Sequence, residues 1–369
     1  MDKNSRTHCI ISQSELHHVF TFKNFPIIMN CVEGGSKDND QFEDMKWGCS
    51  EAGHVQLMEL IDPALIYKEY HDPGTVGKIW KRHHNTFYNF IKECNDTYLL
   101  EIGGGGGYLA KLFLQDDRQF VWTIIEPFVN SAIDDPRMHY VEGFFDEYPF
   151  KNTFGAVVHS HVLEHVYDPM KFLNKINTLL KEGDNHFITL PNMKHWLEQG
   201  YSNTLMFEHT YYIDEQVLEY ILAKNGFEIK DRIVEEHSIF LRCVKKNNVQ
   251  IPSTNFDYIR ELFNNYIVKL LDDVSQIKEN IRDEQIYIFG AHIFSQMLVN
   301  LGIPENQILN ILDNDSKKQG KRMYGTDLTV TSPDCLKDQD SPIVIVRAGA
   351  YSSEIKESIL TINPTVKFY

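Results

Sequence analysis

Between Tyr98 and Phe113 the chain reads YLLEIGGGGGYLAKLF, five glycines directly behind an apolar run and directly ahead of a helical pattern. A glycine tract can be a slack linker. Here the flanks favour a strand, a tight turn and a helix, written Glu101-x-Gly103-x-Gly105-x-Gly107. Missing side chains in such a turn let a ligand touch backbone amides near a helix N-terminus. A phosphate-binding loop would need Lys followed by Ser or Thr after the glycines, and GGGGGYLAK has neither at the required spacing. Glu126 closes the next apolar run, WTIIEP, roughly 20 residues on, where an acid can accept hydrogen bonds from ribose hydroxyls. A second pattern, HVLEH from His161 to His165, matches the inverted zinc-peptidase signature, which needs two His on one helix face and a third ligand. Its place between the buried-strand pattern AVVHS and YDP argues instead for packing and hydrogen bonding of Glu164 and His165 on a helix face.

The elements that must position these residues alternate. KIWKRHHNTFYNFIKEC reads as helix, and FVWTIIEP, FGAVVHSHVLEHV, MKFLNKINTLL and HFITLP then alternate strand and helix, predicting a parallel sheet with crossover helices. Phe256, Ile259, Phe263, Ile267, Leu270, Val274, Ile277 and Ile281 recur at helical spacing, with Ser253 and Thr254 as candidate caps, predicting one long amphipathic bridging helix. After it a strand and glycine turn begin again in QIYIFGAHIFSQMLVNLGI, followed by ILNILDND and PIVIVRAG. Gly290 and Asp313 stand where a dinucleotide fold would put its first glycine and its acid, but GAHIFS lacks the other two glycines. A remnant serving as a wall or lid is an equal reading. The stretch before Tyr70 shows little periodicity. The expected organisation is an N-terminal module over 1–75, a ligand-binding α/β domain over 76–250, a bridging helix over 251–284 and a small Rossmann-like domain over 285–369.

Length and charge bound the function. At 369 residues the chain can bury two or three cores. Its net charge of -16 argues against a general grip on nucleic-acid backbones, which needs clustered Lys and Arg. No run approaches the roughly 18 to 20 apolar residues of a membrane span, and MDKNSRTHCIISQSEL lacks a signal pattern, so a soluble cytoplasmic protein acting on small molecules is expected. Cys9, Cys31, Cys49, Cys94, Cys243 and Cys335 are scattered and read as reduced thiols.

Taken in order, LLEIGGGGGYLAKLF, IIEP and HVLEHVYDP resemble a class I S-adenosylmethionine-dependent methyltransferase. More narrowly, with CSEAGHVQL, IYKEYHDPGTVGKIWKRHH, FEHTYYID and DNDSKKQGKRMYGTDLTVTSP, the chain resembles the C-methyltransferases of nucleotide-linked 4-keto-6-deoxy sugars. That resemblance implies an α/β, Rossmann-like core binding S-adenosylmethionine, with Glu101 ahead of the turn, Gly103, Gly105 and Gly107 facing the methionine and ribose, Glu126 on the ribose hydroxyls, and Phe145 or Asp146 beside the adenine. It places Tyr67, Tyr70 and His71 over the sugar, packing of the first module being an even alternative, and gives KKQGKRMYG to the nucleotide diphosphate. Family members carry two CxxC pairs that bind zinc; here they read CIIS and CSEA, with Ser12 and Ala52 in place of two cysteines. Cys31, His17 or His54 could rescue a metal set, but a module held by packing is the simpler expectation.

A carbon nucleophile for methyl transfer has to be generated. In a 4-keto sugar the proton on C3 is acidified by the carbonyl, so one base and donors to the enolate oxygen suffice. FEHTYYID supplies His209 as base, Glu208 to orient it or polarise the substrate, and Tyr212 near the oxyanion. The family commonly has His before that Glu, and Phe207 stands here, which leaves open an O- or N-methyltransferase of a sugar or other small metabolite, or a noncatalytic binding module.

Overall fold

The computed structural model describes residues 4–66, 77–94, 96–115, 119–129, 132–253 and 255–369. Its centre is a seven-stranded sheet, ordered Phe227–Val234, Ser238–Lys245, Asn185–Pro191, Ala156–Ser160, Tyr98–Ile102, Val121–Glu126, Met138–Glu142. Six of these strands run in one direction, as the alternating pattern predicts, but Ser238–Lys245 runs antiparallel to both its neighbours. This Rossmann-like α/β sheet reverses its strand order between Tyr98–Ile102 and Ala156–Ser160, the place where open α/β sheets bind ligands at their strand C-termini. Helix Lys78–Lys92, which leads into the first strand, and helices Tyr108–Leu114, Pro169–Leu179 and Glu215–Lys224, which connect later ones, cover the sheet with their apolar faces. Two start on side-chain caps: Asp168 accepts from Lys171 N, and Asp214 accepts from Gln216 N and Val217 N.

The first module holds an antiparallel sheet where the sequence shows little periodicity: Leu16–Pro26, Phe42–Ser50 and Val55–Leu57. Its register shifts at His18/Phe20 and at Phe22/Phe25, and each shift resets which residues face the core, so the alternation that would announce a strand is broken.

The bridging helix runs Asp257–Ile281 and buries Ile259, Phe263, Tyr266, Ile267, Leu270, Val274, Ile277 and Ile281. Its start differs from the expected caps: the Asn255 side chain accepts from Asp257 N at 3.0 Å, Ser253 lies outside the helix, and Thr254 is outside the described residues. Phe256 N donates to Ala52 O, and a Cβ on Gly53 would come within 2.4 Å of the Phe256 backbone, so the first module docks on the helix through a glycine. Beyond it lies a parallel sheet ordered Val330–Thr331, Ile308–Leu312, Ile286–Phe289, Ile343–Val346, Lys367–Phe368. Gln296 ties this unit to the first module by donating to Ile28 O at 2.9 Å, and buried Arg322 pairs with buried Asp40 at 2.6 Å. No described helix is long and apolar enough to cross a membrane.

Candidate active site

The glycine turn lies at the C-terminal end of Tyr98–Ile102. Gly103, Gly105 and Gly107 all have positive φ, and Gly107 sits at the N-terminus of the helix Tyr108–Leu114. A Cβ on Gly103 would meet Val162 at 2.6 Å, whereas one on Gly105 would enter open space. Gly105 N donates to the Glu126 carboxylate at 3.1 Å, so the acid and an exposed amide face the same opening. This fits the methionine and ribose of S-adenosylmethionine: backbone amides clear of side chains, and a partly exposed acid whose proton affinity is raised by burial. Glu101 faces the other way. It is buried, accepts from Trp122 Nε1 at 2.7 Å, and burial pushes its carboxyl up to about 7, so it supports the turn from beneath rather than reaching the opening. Gly104, which the motif leaves unassigned, is what lets the turn close: a Cβ there would lie 2.8 Å from the Glu101 carboxyl carbon.

Phe145 belongs to the core, edge-on to Phe172 at 5.1 Å, so of the pair offered for adenine only Asp146 is exposed, and Phe144, two residues before it, is exposed as well. Tyr67, Tyr70 and His71 lie outside the described residues.

His209 and Glu208 are both buried. His209 Nδ1 lies 3.0 Å from Thr204 O, which fixes the proton on Nδ1 and makes Nε2 the basic nitrogen. The ring of His165 meets that of His209 edge-on at 4.8 Å, and His165 Nδ1 lies 4.0 Å from Glu208 Oε2. Glu164, His165 and His209 bring ligand atoms within 4.8 Å of one another. His165, which the sequence assigns only to packing and hydrogen bonding through HVLEH, lies in this cluster beside His209. Tyr212 is a correction: it is buried with its hydroxyl donating to Asp214, which also takes Tyr258 OH at 2.7 Å, so it serves a helix cap rather than an oxyanion. Tyr211 is the tyrosine beside Glu164, its hydroxyl donating to Leu163 O at 2.6 Å. Phe207 is fully buried and packs edge-on to Phe25 of the first module at 6.3 Å, which is what the residue in place of the family's His does.

HVLEH does not lie on an α-helix. His161 has φ 52 and Leu163–His165 is a single 3-10 turn, so the two His serve different clusters and the inverted-peptidase geometry is absent. In the first module the Cys9 thiol accepts from Ile11 N and Ser12 N and meets His54 Nδ1 at 3.4 Å, while Cys49 receives Arg260 Nε at 3.3 Å. Burial raises the Cys9 thiol, but adjacent His54 and the Ser12 amide outweigh it and bring it down to about 6. Hydrogen bonds and a guanidinium thus stand where the family's cysteines would hold zinc, and among the described residues no third ligand joins Cys9 and His54. Cys31 lies elsewhere, against Ala291 O, and His17 is exposed. The basic run of the last unit is engaged within the chain: Arg322 with Asp40, Lys321 with Glu33, Lys318 with Ala291 O.

Residues 80–231 match the model of a methyltransferase domain, and residues 254–364 that of a C-methyltransferase C-terminal domain. A protein of Mycolicibacterium smegmatis described as a probable S-adenosylmethionine-dependent methyltransferase is 25% identical over 158 residues, which is 42% of this chain. The match spans 61% of that relative's length. Human N-acetylserotonin methyltransferase in complex with S-adenosylmethionine is similar at 18% identity over 46% of this chain and 53% of that one, with a TM-score of 0.40. The magnesium protoporphyrin IX methyltransferase of Synechocystis with bound S-adenosylhomocysteine is similar at 14% identity over 48% of this chain and 91% of that one, with a TM-score of 0.36. Nothing about a methyl acceptor follows from such distant likenesses. The two domain matches and the relative support S-adenosylmethionine-dependent methyltransferase chemistry for the domain over residues 80–231. Residues 254–364 add the C-terminal domain found in C-methyltransferases.

Proposed function

We propose that this protein methylates a carbon next to the carbonyl of a nucleotide-linked 4-keto deoxy sugar. The observation that carries the reading is His209: a buried imidazole whose Nδ1 is tied to Thr204 O, so that Nε2 is the nitrogen able to take a proton. The C-methyltransferase C-terminal domain supports a carbon acceptor.

Bound over Gly103, Gly105 and Gly107, with Glu126 on its ribose, S-adenosylmethionine supplies an electrophilic methyl group. His209 Nε2 removes the proton from C3, and the C–H electron pair passes into the enolate. C3 would then form its bond to the methyl carbon as the methyl–sulfur bond breaks, with neutral S-adenosylhomocysteine as the leaving group and the proton left on His209. His165 stabilises the enolate oxygen, and Glu208 Oε2, 4.0 Å from His165 Nδ1, favours the positive charge His165 brings to it. Burial of His209 and Glu208 lowers the local dielectric and strengthens these charge effects.

The test is mass spectrometry and deuterium exchange with a panel of nucleotide-linked 4-keto sugars. His209→Asn should lower turnover by about 10²- to 10⁴-fold with near-normal cofactor affinity, and should stop exchange at C3 when S-adenosylhomocysteine replaces the methyl donor. Exchange that persists in this variant removes His209 from the mechanism. Methylation of a hydroxyl or amine without exchange in the unmodified enzyme replaces the carbon reading with an oxygen or nitrogen one.

A further inference from the structure

Three histidines outside the proposed proton-transfer step converge from distant parts of the chain. His83 lies on the helix Lys78–Lys92, His161 just after the strand Ala156–Ser160, and His237 just before Ser238–Lys245. One nitrogen from each lies within 4.8 Å of the others. All three rings point at one atom, Ser238 Oγ: His83 Nδ1 at 3.0 Å, His161 Nε2 at 3.0 Å and His237 Nδ1 at 2.7 Å.

A hydroxyl has one proton to give and two lone pairs to accept with, so it can serve three imidazoles only in one arrangement of tautomers. Three imidazoles whose nitrogens lie within 4.8 Å of one another, with a hydroxyl oxygen at 2.7–3.0 Å from each ring, are by contrast a donor set that can close on a tetrahedral transition-metal ion. The far side of each ring carries the support such a site needs, an acceptor that can hold the other N–H and turn the lone pair inward. His83 Nε2 has Ser160 Oγ at 3.0 Å and Thr189 Oγ1 at 3.3 Å. His237 Nε2 has Tyr351 OH at 3.1 Å. His161 Nδ1 has Glu164 Oε1 at 3.4 Å, a charge-pair distance without hydrogen-bond alignment.

Glu164 is the independent sign. It is 0% exposed, and neither carboxylate oxygen has a hydrogen-bond partner among the described residues. A buried carboxyl group without a hydrogen-bond partner is a polar group for which a cation or a donor nearby would compensate. Trp80 walls the cluster edge-on, 5.1 Å from His83, 5.0 Å from His161 and 5.1 Å from His237.

We infer that His83, His161 and His237, with the Ser238 hydroxyl as fourth donor, form a binding site for a divalent transition-metal ion. Imidazole donors favour zinc, cobalt or nickel over magnesium or calcium. The ion would fasten the helix Lys78–Lys92 to two strands of the central sheet and, through Tyr351 behind His237, to the last unit. It is separate from the cysteine remnant of the first module.

The experiment is calorimetric titration of the full-length, chelator-treated protein with Zn²⁺, with the unfolding temperature read alongside. One equivalent should bind and raise the unfolding temperature. His83→Ala and His237→Asn should each weaken it by at least the roughly 10- to 100-fold that an outer-shell change alone can cost, and abolish the thermal shift. Cys9→Ser and His165→Ala should bind Zn²⁺ as the unmodified protein does. Absence of Zn²⁺ binding by the unmodified protein overturns the inference whether or not the variants fold. Undiminished binding in a folded His237→Asn variant, or loss in His165→Ala, also overturns it, the latter by placing the ion on Glu164, His165 and His209 instead. None of these readouts depends on the methyl acceptor.

Discussion

Gly103 N donates to Ile125 O at 2.9 Å, and Gly290 N donates to Leu312 O at 2.8 Å. Two residues after the first glycine, Gly105 N donates to Glu126 at 3.1 Å; one residue after the second, Ala291 N donates to Asp313 at 2.9 Å. The central sheet and the last unit therefore open with the same device, a strand, a glycine turn and an acid closing the next strand. They differ in what fills the turn. Around Gly105 a Cβ would find open space, while one on Gly290 would touch Phe294 at 3.4 Å, and Ala291 O already takes Lys318 Nζ at 3.3 Å and the Cys31 thiol at 3.8 Å. One turn is cleared for a ligand and the other is used as a packing corner against the first module. A nucleotide-type turn becomes a site only where the chain keeps its own side chains out of it.

The largest separation between the turns is expected from the glycines. Gly105→Val puts a β-branched side chain at positive φ into the cleared space and should weaken S-adenosylmethionine by more than about 100-fold in a folded protein. Gly290→Ala should leave that affinity unchanged and cost about 1–2 kcal/mol of stability, because φ 104 is strained for any side chain. Calorimetry on both variants decides, and full binding by Gly105→Val would reduce the first turn to a linker.

The acids should separate the turns less strongly. Glu126→Ala is expected to weaken S-adenosylmethionine and S-adenosylhomocysteine alike by about 1–3 kcal/mol, the scale of charge-assisted bonds to hydroxyls. Asp313→Ala loses the bonds from Ala291 N and Asp315 N and should lower stability by about 1 kcal/mol with no effect on the cofactor. A matching loss of cofactor affinity in Asp313→Ala would show that the two turns are not functionally distinct.

Both turns were legible in the sequence because their determinants are local: glycines, an apolar run before them and an acid at fixed distance. The long helix was legible for the same reason, eight buried residues at one spacing. What was not legible depends on contacts between distant segments. Tyr211 and Tyr212 are adjacent, and only the packing decides that one lies beside Glu164 and the other caps a helix through Asp214. Phe145 has the right place in the chain for a cofactor contact, but its ring turns into the core. His83, His161 and His237 share no motif, and the strand Leu16–Pro26 hides its period behind two register shifts.

The smallest effect on cofactor affinity is expected beneath the first turn. Glu101 stands two residues before Gly103, where the last unit has Ile288 two residues before Gly290, so the central turn rests on an acid and the other on a hydrocarbon. Burial raises the Glu101 carboxyl from an ordinary 4.5 to about 7. In that window the folded protein holds a proton that the unfolded chain has released, so the contribution is favourable at acid pH, declines as pH rises from 4.5 to about 7, and is level above. Glu101→Gln keeps an acceptor for Trp122 and removes the titration. Urea midpoints for this variant should therefore fall less between pH 5 and pH 8 than those of the unmodified protein, while S-adenosylmethionine affinity changes by less than about threefold, under 1 kcal/mol. An unchanged pH slope would mean that Glu101 is already ionised in the folded protein, and a large loss of affinity would move it from beneath the turn into the cofactor site.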